Sequence, residues 1–284
     1  MNKLRTLNLE PRTSNASSGD TRPFKVQSSR FKVQGSSAQG EWLLLNSDAG
    51  PGAFNMALDE ALLEAMSRLG RPVLRFYGWT EPAATFGYFQ KYADVERVTS
   101  LRPLIRRPTG GGIVPHDADW TYSLAFPPGH EWHSLRAEES YRRVHEWIQS
   151  AFAKLKVTTA LAPTPNSELL AAPNPAMAGE GGRTPNSEMG QCFAGYEKFD
   201  VLWNGKKIAG AAQRRNKLGL LIQGSVQPPP ISLIRADWQK AMCEVGRGEW
   251  RIEWLDFEPD DALRKRAEYL VRHKYSQMEF IRKR

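Results

Sequence analysis

The chain has 284 residues, 40% of them hydrophobic, with nine Trp; this is the make-up of a globular protein of one or two domains and excludes collagenous and coiled-coil classes. Lys and Arg outnumber Asp and Glu, 39 to 31, for a formal net charge of +8 that at face value invites a nucleic-acid or membrane-surface role. Two cysteines, Cys192 and Cys243, without a Cys-x-x-Cys pair, exclude a disulfide framework and a zinc site; no apolar run approaches the roughly 20 residues that span a bilayer, and the chain reads as cytoplasmic.

Residues 1–40 are rich in Ser, Gly and Arg and repeat Phe24-Lys25-Val26-Gln27 as Phe31-Lys32-Val33-Gln34, which predicts a disordered extension. A strand is expected at 42–45. Phe54, Leu58, Ala61, Leu62, Ala65 and Leu69 recur at helical spacing, with Gly70 as the stop. Strands follow at 73–79, 84–89, 104–107 and 121–126. Tyr141, Val144, Trp147, Ile148, Ala151, Phe152 and Leu155 mark a second amphipathic helix. Thr164-Pro165-Asn166-Ser167-Glu168 returns as Thr184-Pro185-Asn186-Ser187-Glu188 around a run of Ala, Pro and Gly, which predicts a flexible inserted loop over 160–189. Beyond it, Asn204-Gly205 suits a tight hairpin turn between strands at 199–203 and 206–213. A strand at 219–226, a helix at 236–245, a short strand at 251–257 and a basic helix over 258–284 complete the order. Hairpins with few helices and no strict alternation predict an α+β fold with a mixed, mostly antiparallel sheet, its ordered domain spanning 41–257.

Three segments carry candidate chemistry. The first is Arg106-Arg107-Pro108-Thr109-Gly110-Gly111-Gly112-Ile113-Val114-Pro115-His116-Asp117, where three glycines let a ligand approach the main chain and two arginines offer a clamp for phosphate or carboxylate. It matches neither a P-loop nor a dinucleotide fingerprint. The second is Gly190-Gln191-Cys192-Phe193; free cysteines are usually inert, but Cys192 re-enters ordered structure just before a hairpin with Lys206 and Lys207, and a nearby lysine favours the thiolate. The third is Asn204-Gly205-Lys206-Lys207-Ile208-Ala209-Gly210-Ala211-Ala212-Gln213, where strand alternation sets Lys207, Ala209 and Ala211 on one face and small residues leave room for a ligand chain. Cys243 reads as structural.

In this order the segments resemble the biotin/lipoate protein ligase superfamily, and within it the octanoyltransferases of lipoate synthesis that carry a mid-chain cysteine nucleophile. The resemblance covers about residues 41–257. It implies Cys192 as acyl-thioester nucleophile and Lys207 as the lysine that lowers the thiol pKa and contacts the acyl carbonyl. Arg107, Gly110, Gly111, Gly112 and His116 fall on the substrate loop, with Gly210 and Ala211 beside the ligand. It further implies octanoyl-acyl carrier protein as donor, a lipoyl-domain protein (glycine cleavage H protein or 2-oxoacid dehydrogenase E2) as acceptor, and no metal or organic cofactor. His116-Asp117-Ala118-Asp119 departs from the His-Asp-x-Gly-Asn of ATP-using ligases, whereas Gly112 is more ligase-like. An ATP-dependent lipoate or octanoate ligase and a lipoyl-protein octanoyl amidotransferase are the rival readings.

The charge is not evenly placed. Residues 1–40 hold seven Lys and Arg against two Asp and Glu, residues 264–284 eight against two, and the segment between is slightly acidic. A nucleic-acid partner is therefore not expected; Arg106, Arg107, Arg214, Arg215 and Lys217 remain as candidates for steering an acidic carrier protein.

Overall fold

Alternation along three central strands gives the large sheet one apolar face and one mixed face. The computed structural model describes residues 40–164 and 195–283. Strands β2 (Val73–Trp79), β6 (Trp120–Phe126) and β10 (Gly219–Val226) run antiparallel to their neighbours in this set and are buried along almost their whole length. Leu74, Phe76, Tyr122, Leu124 and Ile222 point one way, into a core completed by α4 (Ala137–Lys154) and α5 (Arg235–Glu249). Val73, Tyr77, Ala125 and Leu221 point the other way, onto α1 (Gly52–Leu69) and α6 (Asp261–Leu270).

The described strands form an eight-stranded sheet in the order β11-β1-β2-β6-β10-β9-β8-β7. Its outer members are β11 (Glu253–Asp256), β1 (Glu41–Gly50), β9 (Lys206–Asn216), β8 (Val201–Trp203) and β7 (Ala160–Leu161). β1 pairs in parallel with β2 and β11. A three-stranded sheet, β4 (Leu104–Arg106), β3 (Ala83–Phe86) and β5 (Val114–His116), carries the glycine triplet between β4 and β5. This is the α+β architecture expected from the order of hairpins and helices.

Gly70 ends α1 with φ of +65° and its N–H on the carbonyl of Met66, as expected of a left-handed cap. The apolar stripe misplaces the centre of that helix's buried face, however. Asn55, Asp59, Leu62 and Met66 are buried while Phe54, Ala65 and Leu69 are half-buried, because the helix packs polar side chains against the sheet.

The expected inserted loop begins as structure: Ala160 and Leu161 form β7 against β8, and Ala162 donates to the carbonyl of Asp200. Its part beyond residue 164, and the expected extension up to residue 39, lie outside the described residues. The basic helix expected over 258–284 is broken into α6, a π-helical turn (Val271–Tyr275) and α7 (Met278–Ile281). The short α2 (Tyr92–Val98) and α3 (Glu131–Ser134) were not foreseen, being too brief to set up a periodicity. Among the described residues no helix is long and apolar enough to cross a membrane.

Candidate active site

On the α1 face of the large sheet, cross-strand neighbours fall into two rows. Tyr77, Thr121, Ser225 and Gly210 make one, and Arg75, Ser123, Gln223 and Ala212 the next. A narrow slot of about 30 Å³ runs between them and Thr85, Val114 and His116 of the small sheet. Its polar neighbours are engaged with one another. The buried carboxylate of Asp59 accepts from Tyr77 Oη (3.1 Å), Gln223 Nε2 (2.7 Å), Ser123 Oγ (2.8 Å) and Arg75 (2.7 Å). Burial and then the Asp59 charge push the Tyr77 phenol well above its ordinary range, so it stays a donor. Mutual satisfaction of these groups leaves the slot a mainly hydrocarbon surface.

The arginines before the glycine triplet do not reach outward as the sequence suggests. Arg106 is buried, and its guanidinium donates to the carbonyls of Tyr88 (2.7 Å), Gln90 (2.8 Å) and Ile281 (2.9 Å). Arg107 donates to the carbonyls of Gly110 (2.6 Å) and Gly112 (2.7 Å). In a trans peptide the next N–H points away from each carbonyl, so this fork turns the N–H of Gly111 to the side opposite Arg107. Gly111 has φ of +86°, and a Cβ there would lie 2.7 Å from an Arg107 nitrogen; a Cβ on Gly110 would meet nothing within 4 Å. Buried, neither arginine can steer a carrier protein. Arg215 turns onto the carbonyls of Trp132 and His133, Arg214 pairs with Glu60, and Lys217 is exposed.

Arg107 also begins a directed chain of hydrogen bonds. It donates to Thr85 Oγ1 at 3.3 Å, which leaves the threonine proton for His116 Nε2 at 2.8 Å. The imidazole proton then sits on Nδ1, 2.9 Å from Asp119 Oδ2, an assignment that follows from the partners. Asp119 accepts from Thr121 and Ser225 as well, and the His116 ring stacks on Trp79 with centroids 3.8 Å apart. The residue that orients His116 is therefore Asp119; Asp117, beside it in sequence, is exposed.

Lys207 stands at a bulge. Leu202 pairs with Lys207 and Val201 with Ala209, so β9 has one residue, Ile208, more than β8 at this point. Alternation holds from Ala209 to Ala212, but the extra residue breaks it for Lys207. Its Cε and Nζ lie 2.7 Å and 3.0 Å from where a Cβ on Gly210 would be, not beside Ala209 and Ala211. The ammonium is 2.7 Å from Asp200 Oδ2, both side chains being buried. Burial pushes the Asp200 carboxyl up despite the pull of Lys207. His145 of α4 is buried nearby, and desolvation followed by the Lys207 charge pushes its imidazole down to about 3, so it is neutral. These three groups, with Tyr141 and Gly112, line a cavity of about 610 Å³, and Ala211 and Ala212 line both it and the slot.

The structure thus brings together Lys207, Arg107, Gly111, Gly112, His116, Gly210 and Ala211. Cys192 lies outside the described residues. Cys243 is buried in α5 among apolar side chains, which push its thiol up to about 11, the inert behaviour expected of it. Asp59, Asp119, His145 and Asp200 were missed. Asp59, His145 and Asp200 lie inside elements read for their apolar pattern, and Asp119 in the turn just before the strand expected at 121–126; only for Asp200 was there a usable signal, an acid a few residues upstream of the hairpin turn that Lys207 follows.

Residues 51–227 match the model of the lipoyl protein ligase A/B catalytic domain. The chain belongs to this family. Among curated proteins it is 36% identical over 198 residues to octanoyltransferase LipM of Geobacillus kaustophilus, 66% of either chain. It is 35% identical over 190 residues to octanoyltransferase LipM of Bacillus subtilis, 65% of this chain and 64% of that protein. The matches span just under two thirds of these relatives' lengths. Among solved structures, lipoate-protein ligase A bound with ATP superposes with a TM-score of 0.65 at 20% identity, over 86% of this chain and 98% of that one. A chain from the bipartite lipoate protein ligase of Thermoplasma acidophilum gives 0.62 at 18%, over 86% and 96%. At these identities the structural likeness establishes the shared fold.

Proposed function

We propose that this chain is an octanoyltransferase of lipoate synthesis that works through a cysteine thioester. The Cys192 thiolate attacks the thioester carbonyl of octanoyl-acyl carrier protein, forming octanoyl-Cys192 and releasing the carrier thiolate. The neutral amine of a lipoyl-domain lysine then attacks octanoyl-Cys192; the amide forms, the C–S bond breaks, and the amine proton passes to the departing thiolate. The first exchange is nearly thermoneutral, and amide formation drives the second without ATP. The octanoyl chain would enter the slot beside Gly210, which at about 30 Å³ must widen to take eight carbons, with Lys207 and the outward N–H of Gly111 at the carbonyl, where negative charge develops.

The observation that carries this reading is the buried Lys207, fixed by Asp200 on the wall of a cavity that shares Ala211 and Ala212 with an apolar slot. A desolvated ammonium there favours a thiolate and an oxyanion. The relatives named octanoyltransferase favour the same chemistry.

The test pairs two donors with one purified lipoyl domain. Octanoyl-carrier protein is expected to acylate both the protein, seen as an octanoyl adduct by intact mass, and the acceptor; Cys192→Ser is expected to abolish both. Acylation that requires octanoate and ATP and survives Cys192→Ser would establish the ligase reading. Transfer from an octanoylated lipoyl protein in preference to the carrier protein would establish the amidotransferase.

A further inference from the structure

The small sheet that presents the glycine triplet has its own modest core of Ala84, Phe86, Val95, Leu104 and Ile113, and the residue that completes it is Ile281, from α7. Ile113 directly follows the triplet. On the same side Arg106 gathers carbonyls from two places at once: Phe280 (3.2 Å) and Ile281 (2.9 Å) at the end of α7, and Tyr88 and Gln90 in the turn after β3. That turn abuts the triplet. The N–H of Tyr88 donates to the carbonyl of Thr109 at 2.8 Å, and Gly87 comes so close that a Cβ on it would lie 2.0 Å from the Gly111 carbonyl oxygen.

Residues 271–283 are in turn moored to α1. The π-helical turn brings Lys274 Nζ within 2.5 Å and Tyr275 Oη within 2.7 Å of the Glu60 carboxylate, which is itself buried. Phe280 packs edge-on against Tyr275. The segment is thus fixed at Glu60 and at Arg106, and its α7 packs against β4 of the sheet that bears the triplet.

We infer that residues 271–283 form a strap that positions the glycine triplet for acyl transfer, with Arg106 as the positioning residue through which it acts. The inference rests on the octanoyltransferase reading for its effect on rate, and on the contacts alone for its effect on the loop. A backbone N–H aimed at a developing oxyanion is effective only when its direction is fixed beforehand. Arg107 sets that direction from within the loop, and Arg106 holds the turn against which the loop rests. Lysine at 106 keeps the charge but lacks the fork to hold carbonyls on both sides.

The experiment compares the full chain with Arg106→Lys and with a chain truncated after Gln277. The amides of Tyr88 and Arg107, which donate to Thr109 and Phe86, are followed by hydrogen exchange, and octanoyl transfer is measured alongside. Both variants are expected to exchange these two amides at least about tenfold faster, with amides of the large sheet unchanged. kcat is expected to fall about tenfold or more while KM for the octanoyl donor stays within about twofold. A synthetic peptide of residues 278–284 added to the truncated chain is expected to restore both. If the truncated chain does not fold, the Arg106→Lys variant decides alone. Wild-type exchange at Tyr88 and Arg107 in the variants overturns the strap, as does faster exchange with unchanged kcat. Should the full chain transfer no octanoyl group, the functional reading fails, and the exchange measurement still decides whether the strap holds the loop.

Discussion

Lys207 Nζ and Asp200 Oδ2 stand 2.7 Å apart, with side chains only 4% and 5% exposed. The pair does not exist for stability. Burial raises the Asp200 carboxyl above its ordinary value even with the ammonium beside it, so ionising it is harder in the folded chain than in the unfolded one, and above that raised value the carboxylate subtracts from stability. Replacing both partners at once, by Asp200→Leu with Lys207→Met, is expected to leave thermal stability at pH 7.5 unchanged or raise it by about 1–4 kcal/mol, and to abolish octanoyl transfer. Lys207→Met alone strands a buried carboxylate and is expected to cost about 3–5 kcal/mol. Calorimetric melting with a transfer assay on the same samples checks both.

His145 supplies a pH signature. Its imidazole is held down to about 3 in the folded protein, whereas in an unfolded chain it titrates near 6.5. Above that value the group contributes no pH dependence. Between about 6.5 and 3 the unfolded state binds the extra proton, and stability falls with falling pH by up to about 1.4 kcal/mol per unit. Urea midpoints at pH 7.5, 6 and 5 are expected to decline less steeply for His145→Phe than for the wild type.

The three glycines are not equivalent. Gly111→Ala places a Cβ 2.7 Å from Arg107 at φ of +86° and is expected to cost about 1–2 kcal/mol and most of the activity. Gly110→Ala points into open space and is expected to melt like the wild type. A loss of transfer in a normally folded Gly110→Ala would place the acyl donor against that residue.

Arg107→Lys tests the orientation of the loop. Lysine at 107 keeps one nitrogen for these carbonyls but loses the second bond to Gly110, made by Nε at 3.0 Å, and the reach of Nη1 to Thr85, so the N–H of Gly111 is held less firmly; kcat is expected to fall about a hundredfold, with a smaller change in KM.

Much of this was legible in the sequence, and what was hidden has physical causes. Periodicity placed α1, α4 and the central strands, because their apolar residues repeat over enough turns or pleats to outweigh local noise. The Asn204-Gly205 turn was legible because its φ values of +47° and +76° suit those two residues. The role of Arg106 was not. An arginine before a glycine run looks the same whether it greets a ligand or gathers carbonyls, and Phe280 and Ile281 lie about 175 positions away. Asp59 was hidden for the opposite reason: it sits in a helix whose apolar stripe reads well without it, and its four donors come from three strands. The bulge at Ile208 leaves no mark in composition, so simple alternation put Lys207 beside the wrong neighbours.

That bulge makes the hairpin a counting device. Side chains on a strand change sides with every residue, so the extra position in β9 fixes which way the lysine leans. Besides the Asn204-Gly205 turn itself, what the hairpin must preserve is the number of residues from Asp200 to Gly210: one more or one fewer, in the turn or at the bulge, would swing the ammonium away from its partner without altering one atom of either side chain.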